Sequence, residues 1–157
     1  MDEASIINPL LEALKSPDEK IRNWATQELW KHWFGQKGVY GLQLLQQSQA
    51  LVEAGKTEQA EALLTEVIEA QPDFAEAWNR RAVLYYMNSQ YQRALTDCEM
   101  VVKLSPIHFG ALHGMGLCYV ALGNYSAAIQ ALRRALEIQP YAVENQRLIL
   151  ECTAQLS

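Results

Sequence analysis

Apolar and small residues fall at the same offsets in three successive blocks of 34 residues, which begin at Gly41, Ala75 and Phe109 and align without gaps. The fourth position of each block holds Leu44, Trp78 and Leu112, and the eleventh holds Leu51, Tyr85 and Tyr119. Between them, at the eighth, stand the small residues Ser48, Ala82 and Gly116. Spacings of three and four residues put these positions on one helical face. A second set of small residues, Ala60, Ala94 and Ala128, repeats at the twentieth position. Each block therefore predicts two helices that cross closely at small side chains, with larger ones filling the space around the crossing.

Turn residues fix the register. Pro72, Pro106 and Pro140 stand 34 apart and mark the junctions between blocks, because proline disfavours helix in the residue before it and starts the next helix well. Gly55, Ser89 and Gly123 recur in the middle of each block, where a left-handed residue would end the first helix. Helix breaks are thus expected near residues 55, 72, 89, 106, 123 and 140. Asp73 followed by Glu76 predicts a side-chain cap on the first helix of the middle block.

Trp78, Ala82, Tyr85, Tyr91, Ala94 and Pro106 match the tetratricopeptide-repeat (TPR) pattern position by position. So do Leu112, Gly116, Tyr119, Gly123, Tyr125, Ala128, Ala135 and Pro140. The chain resembles that family over roughly two thirds of its length. The first block carries the pattern less completely, with Gln47, Ser48 and Thr57 in place of the usual Leu, Gly and Tyr. The resemblance implies an all-α fold, a right-handed α-solenoid of helix hairpins, with units at 41–74, 75–108 and 109–142. Residues 143–157 would form a C-terminal capping helix that continues the register through Ile149 and Leu150.

The first forty residues differ in character and predict a helix pair packed on the solenoid. Asn8-Pro9 is expected to start a short helix, and Ser16-Pro17-Asp18-Glu19 a longer one with Ser16 as its cap, ended by Gly35 and Gly38. The run from Leu10 to Arg22 resembles one unit of the HEAT type of helical repeat. On the longer helix Ile21, Trp24, Ala25 and Leu29 form one stripe, while Trp30 and Phe34 lie roughly opposite. Either this helix is sandwiched between the first helix and the first TPR unit, the preferred reading, or Trp30, Trp33 and Phe34 form a second interface for a partner or for self-association.

In the TPR architecture the first helix of each unit lines a concave face. Carried over from that family, the groove residues would be Gln46 and Gln49 in the first unit, then Asn79, Arg80, Val83, Tyr86 and Met87 in the second. Glu76 would join them, followed by His113 and Leu117 in the third unit and Arg147 in the final helix. Asn79 could bond a peptide backbone, Arg80 could hold a carboxylate or pair with Glu76, and Tyr86 and Met87 would supply apolar contact. Family members that clamp the C-terminal carboxylate of heat-shock chaperones use basic residues and Asn where this chain has Leu45, Gln49, Gly110 and Gly114, so that mode is not expected. Gly110 and Gly114 would let a ligand backbone come close to their helix.

Charge and composition narrow the function further. A formal net charge of -5 argues against nucleic acid as partner, since phosphates demand clustered Lys and Arg. Three odd, widely spaced cysteines, Cys98, Cys118 and Cys152, argue against a disulfide framework and for a reducing soluble compartment, the cytoplasm by default. No stretch reads as a membrane span or secretion signal. His108 and His113 are five apart, off one helical face, and no motif for a phosphate loop or a catalytic nucleophile is present. No cofactor, metal or catalysis is expected. The chain reads as a non-enzymatic interaction module for a protein or peptide partner, with homo-oligomerisation through the N-terminal aromatics or the solenoid ends as the alternative.

Overall fold

The computed structural model describes residues 2–157, and among them the regular secondary structure is entirely helical. Helices α1 (Glu3–Ala13) and α2 (Glu19–Phe34) form an N-terminal hairpin. Three further hairpins follow: α3 (Gly38–Glu53) with α4 (Thr57–Ala70), α5 (Ala75–Met87) with α6 (Tyr91–Leu104), and α7 (Phe109–Ala121) with α8 (Tyr125–Ile138). Helix α9 (Val143–Gln155) closes the array. The helices break at all six expected places.

The turn inside each hairpin is the same object built three times. Gly55, Ser89 and Gly123 have φ of 75°, 61° and 77°, and the amide after each donates to the carbonyl five residues back, at 2.8, 2.9 and 2.9 Å. That left-handed residue satisfies carbonyls which the helix end leaves free. Ser89 adopts it against the preference of a residue with a Cβ.

Close crossing of the paired helices follows from the small residues. Ala60, Ala94 and Ala128 are fully buried, as are Ser48, Ala82 and Gly116 opposite them. Between units, Trp78 packs against two core clusters, one centred on α3 to α5 and the other on α5 to α8. A polar lock adds to this apolar seam. Arg81 donates to both carboxylate oxygens of Asp97 at 2.8 and 2.9 Å and to Thr65 Oγ1 at 3.2 Å, while the Tyr85 hydroxyl reaches Glu61 at 2.9 Å. Helix α6 of the second unit and α4 of the first are thereby held to the same face of α5. Asp97 holds the Arg81 guanidinium above its usual pKa, so the cation is permanent.

The N-terminal hairpin departs from expectation in detail. Helix α1 begins at Glu3 with Asp2 as cap, its side chain accepting from the Ser5 amide at 2.8 Å, and Pro9 lies inside the helix. The buried stripe Ile7, Leu10 and Leu14 explains this, because the helix must extend back past Pro9 to present Ile7. In α2 the cap is Asp18, accepting from Lys20, whereas Ser16 only turns the chain by accepting from Asp18. Of the expected stripe, Ala25 and Leu29 are buried, but Ile21 and Trp24 are 43 % and 53 % exposed. Trp33 takes their place, so the buried face runs Ala25, Leu29, Trp33 at intervals of four.

What α2 packs on is also different. It is sandwiched, yet on its far side lie Ile107, His108 and Phe109 at the junction of the second and third units, and Ile138 at the end of α8. Helix α2 thus folds back over the edge of the array from which α5 and α7 start. Asp73 does not cap α5; its carboxylate pairs with Lys37 at 2.7 Å, and the cap position belongs to the buried Phe74. At the other end α9 buries Asn145, Leu148 and Cys152, while Leu150 remains 72 % exposed because no second helix faces the eighth position there.

The turn geometry can be tested without disturbing packing, since a Cβ on Gly123 would meet nothing within 4 Å. Gly123→Ala is expected to cost about 1 to 2 kcal/mol, the price of the left-handed backbone in a residue with a side chain. Ser89→Gly should shift stability the other way by less than about 1 kcal/mol. Urea unfolding of both variants measures these shifts, and an unchanged midpoint for Gly123→Ala would show that the turn is not strained.

Candidate binding groove

The inner face of the array is shaped by α3, α5 and α7, whose axes are set apart by the packing of α4 and α6 behind them. Two sockets result, one on each side of α5, with Val83 as the wall between them. The first, about 180 Å³, lies between α3 and α5 and is lined by Gln49, Val52, Arg80, Val83 and Met87. The second, also about 180 Å³, lies between α5 and α7 and is lined by Asn79, Val83, Tyr86, His113 and Leu117 over a floor of Cys98 and Cys118. Val83 and Met87 are exposed at the rim, 44 % and 62 %.

The polar residues of the groove differ in how they are committed. Arg80 does not pair with Glu76; its guanidinium donates to Gln49 and lies 5.8 Å from the Phe34 ring centroid. Both contacts are with uncharged groups, which leaves its charge available to a ligand. Asn79 is largely buried and donates to Glu76 Oε1 at 3.0 Å, so one end of its amide is already used. His113 Nδ1 stands 2.5 Å from Oδ1 of the Asn145 side chain, and α9 thereby fixes the ring that borders the second socket. Burial raises the Tyr86 phenol above its usual pKa, keeping it a neutral donor, and its ring meets Tyr91 edge-on at 5.4 Å.

Three of the residues named from sequence do not line either socket. Gln46 is exposed on α3, and Arg147 is engaged by Glu144 and Glu151 of its own helix. Glu76 does not face the groove at all. It is fully buried and accepts from His108 Nε2 at 3.0 Å, while His108 Nδ1 accepts the Ala111 amide at 3.0 Å. That second bond assigns the ring proton to Nε2, so a neutral imidazole donates to a buried carboxylate.

The aromatic residues of α2 complete the site's edge. Trp33 stacks on His108 with ring centroids 4.0 Å apart and is 2 % exposed, so it belongs to the intramolecular sandwich and not to a surface patch. Trp30 lies over Gly110, where a Cβ would come within 2.6 Å of the indole, and meets Phe109 edge-on at 5.5 Å. Gly110 thus admits an internal tryptophan where the sequence suggested a ligand backbone. Trp30 and Phe34, with Leu42, border a shallow apolar hollow of about 480 Å³.

Two family models described as tetratricopeptide repeat match residues 45–107 and 83–151, together most of the array just described. The chain belongs to the tetratricopeptide-repeat family. A TPR repeat-containing protein of Rhizobium etli is 37% identical over 97 residues, which is 62% of this chain and 48% of that protein. The chain therefore spans about half the length of that relative. Among solved structures, the first TPR of Spaghetti (RPAP3) bound to an HSP90 peptide superposes with a TM-score of 0.70 at 23% identity, covering 73% of this chain and 91% of that one. The TPR2B domain of yeast Sti1 in a pHsp70 complex gives 0.66 at 18% identity, covering 72% and 95%. These likenesses establish the TPR solenoid as the fold.

Sequence reasoning missed two features of this TPR array. One is the Glu76–His108–Trp33 cluster, whose members stand in three separate elements, although His108 at the last position of one unit and Glu76 at the second position of the same unit are legible as junction residues. The other is that Cys98 and Cys118 both floor the second socket, which only the stacking of α6 on α7 reveals. Removing His108 should leave a buried carboxylate short of a donor and take away the stacking partner of Trp33. His108→Ala is expected to lose about 2 to 3 kcal/mol of stability. Denaturant unfolding followed by tryptophan fluorescence reads this, and a loss below about 1 kcal/mol would mean that the pair contributes little.

Proposed function

We propose that this TPR chain is a non-enzymatic interaction module whose concave face holds a segment of a partner protein. The observation that carries the reading is the pair of sockets flanking Val83, one rimmed by an arginine that only neutral groups contact. A segment with a large apolar side chain for the socket between α5 and α7, and a carboxylate for Arg80, fits both features. Solved relatives carry HSP90 and Hsp70 peptides, which supports peptide recognition as the mode of use. Their ligands do not transfer. Leu45 is in the core, Gly114 brings no charge, and Gly110 is covered by Trp30, so a clamp for a terminal carboxylate has neither its cations nor its space. No helix among the described residues is long and apolar enough to cross a membrane. The buried free cysteines fit a reducing compartment such as the cytoplasm.

A second reading rests on a separate surface. Val39 and Tyr40 are 73 % and 68 % exposed at the start of α3, near the hollow bordered by Trp30, Phe34 and Leu42, and a second copy could cover that apolar area. The two readings separate by experiment. Selection from a displayed random-peptide library should yield sequences that combine an acidic residue with a large apolar one. Their affinity should fall on the order of tenfold with Arg80→Ala or Val83→Glu at unchanged melting temperature. A library that returns no such sequences, together with a concentration-dependent dimer abolished by Val39→Ser and Tyr40→Ser, would transfer the function to self-assembly.

A further inference from the structure

The hollow bordered by Trp30, Phe34 and Leu42 adjoins the groove through one side chain. Its Phe34 ring is the one that the Arg80 guanidinium faces at 5.8 Å, while Gln49, the other contact of that guanidinium, lines the first socket. Arg80 thus stands between an apolar socket and an apolar hollow. At about 480 Å³ the hollow is more than twice the size of either socket, each about 180 Å³. Its aromatic wall is held in place. Trp30 meets Trp33, His108 and Phe109 edge-on at 5.2, 5.3 and 5.5 Å and rests against Gly110, yet it stays half-buried. With Phe34 it presents two rings 5.9 Å apart and tilted by 36°. Rings fixed in this way lose little conformational freedom when a ligand covers them. None of the residues lining the hollow is acidic, so its walls do not repel the negative charge that Arg80 attracts.

We infer that this hollow is a third subsite of the groove, and that it takes a large apolar side chain of the same partner segment, on the other side of the carboxylate from the residue in the second socket. The inference rests on the groove reading and narrows its ligand to an acidic residue flanked on both sides by large apolar ones. Spacing follows from the fold. The two sockets flank α5 and so lie roughly one interhelical distance apart, about 8 to 10 Å. An extended chain advances about 3.3 Å per residue, which puts the socket residue about three positions from the acidic one. The Phe34 ring, 5.8 Å from the guanidinium, puts the hollow residue about two positions away in the other direction.

The test presents the full chain with a displayed peptide library in which a central glutamate is fixed and every other position is random. Large apolar residues should be enriched on both sides of the glutamate at those spacings. Against Leu42→Glu the library should lose the preference on the hollow side and keep the one on the socket side. For one selected peptide, alanine at the hollow-side residue and Leu42→Glu should each weaken binding about tenfold, and the two together no more than either alone. Gln27→Glu, at an exposed position of the same wall, replaces Leu42→Glu if that variant melts at a lower temperature than the wild type. Peptides with a single apolar residue, weakened by Arg80→Ala but bound equally by wild type and Leu42→Glu, overturn this inference and leave the groove reading standing. A library that yields no binder overturns both. A concentration-dependent dimer abolished by Leu42→Glu gives the hollow to a second copy and overturns the inference as well.

Discussion

At Gly116 a methyl group would sit 2.5 Å from Leu132 Cδ2, and the residues at the same place in the other two units, Ser48 and Ala82, are buried with almost no side chain to separate the helices. That limit on side-chain size governs the rest of the architecture. Because the two helices of a unit approach closely at this crossing, their flanks splay, and large residues such as Trp78 and Leu112 can reach the neighbouring unit. The sockets beside Val83 are a consequence of the same spacing. They are the gaps left on the inner face when helices that pack tightly in back cannot also close in front.

A repeat array of this kind is close to one-dimensional, each unit touching its neighbours and little else. The N-terminal hairpin breaks that rule. It lies across the junction of the second and third units, where His108 presents its ring to Trp33 and Gly110 yields space to Trp30. Contacts so distant in sequence couple the unfolding of the first forty residues to that of the second and third units, which a plain stack would not do. They also shorten the groove at one edge, because positions that bring side chains to the inner face elsewhere are here roofed by the protein's own tryptophan.

How far this could be read from the chain depends on whether a feature repeats. Properties that recur with the 34-residue period were legible, namely the helix breaks, the turn residues and the crossing points, while the inner positions, such as Val83 and Leu117, came from the family resemblance. Properties fixed by a single copy were not. Glu76 looks like a groove residue by its position, but His108, a junction residue of the next boundary, draws it inward. Asp73 looks like a cap, but Lys37 from outside the repeats captures it. Which side of α2 is buried depended on a partner surface that helical periodicity cannot name, and so Trp24 and Trp33 exchanged roles.

Adjacent arginines on α5 show how the array distinguishes structure from recognition. Arg81 is enclosed by Asp97 and Thr65, with Trp78 and Tyr85 rings 5.2 and 5.6 Å from its guanidinium, and three of its N–H groups are committed within the protein. Arg147 on α9 is likewise neutralised, by Glu144 and Glu151. Arg80, one residue away on the inner face, has Gln49 and the Phe34 ring instead, neither of which cancels its charge. A cation beside apolar walls, in a chain whose net charge is -5, attracts a carboxylate more strongly than the surface around it does, because water and acidic neighbours screen it less. Gln49 also holds the guanidinium at the mouth of the first socket, so an arriving carboxylate meets a side chain whose orientation is already set.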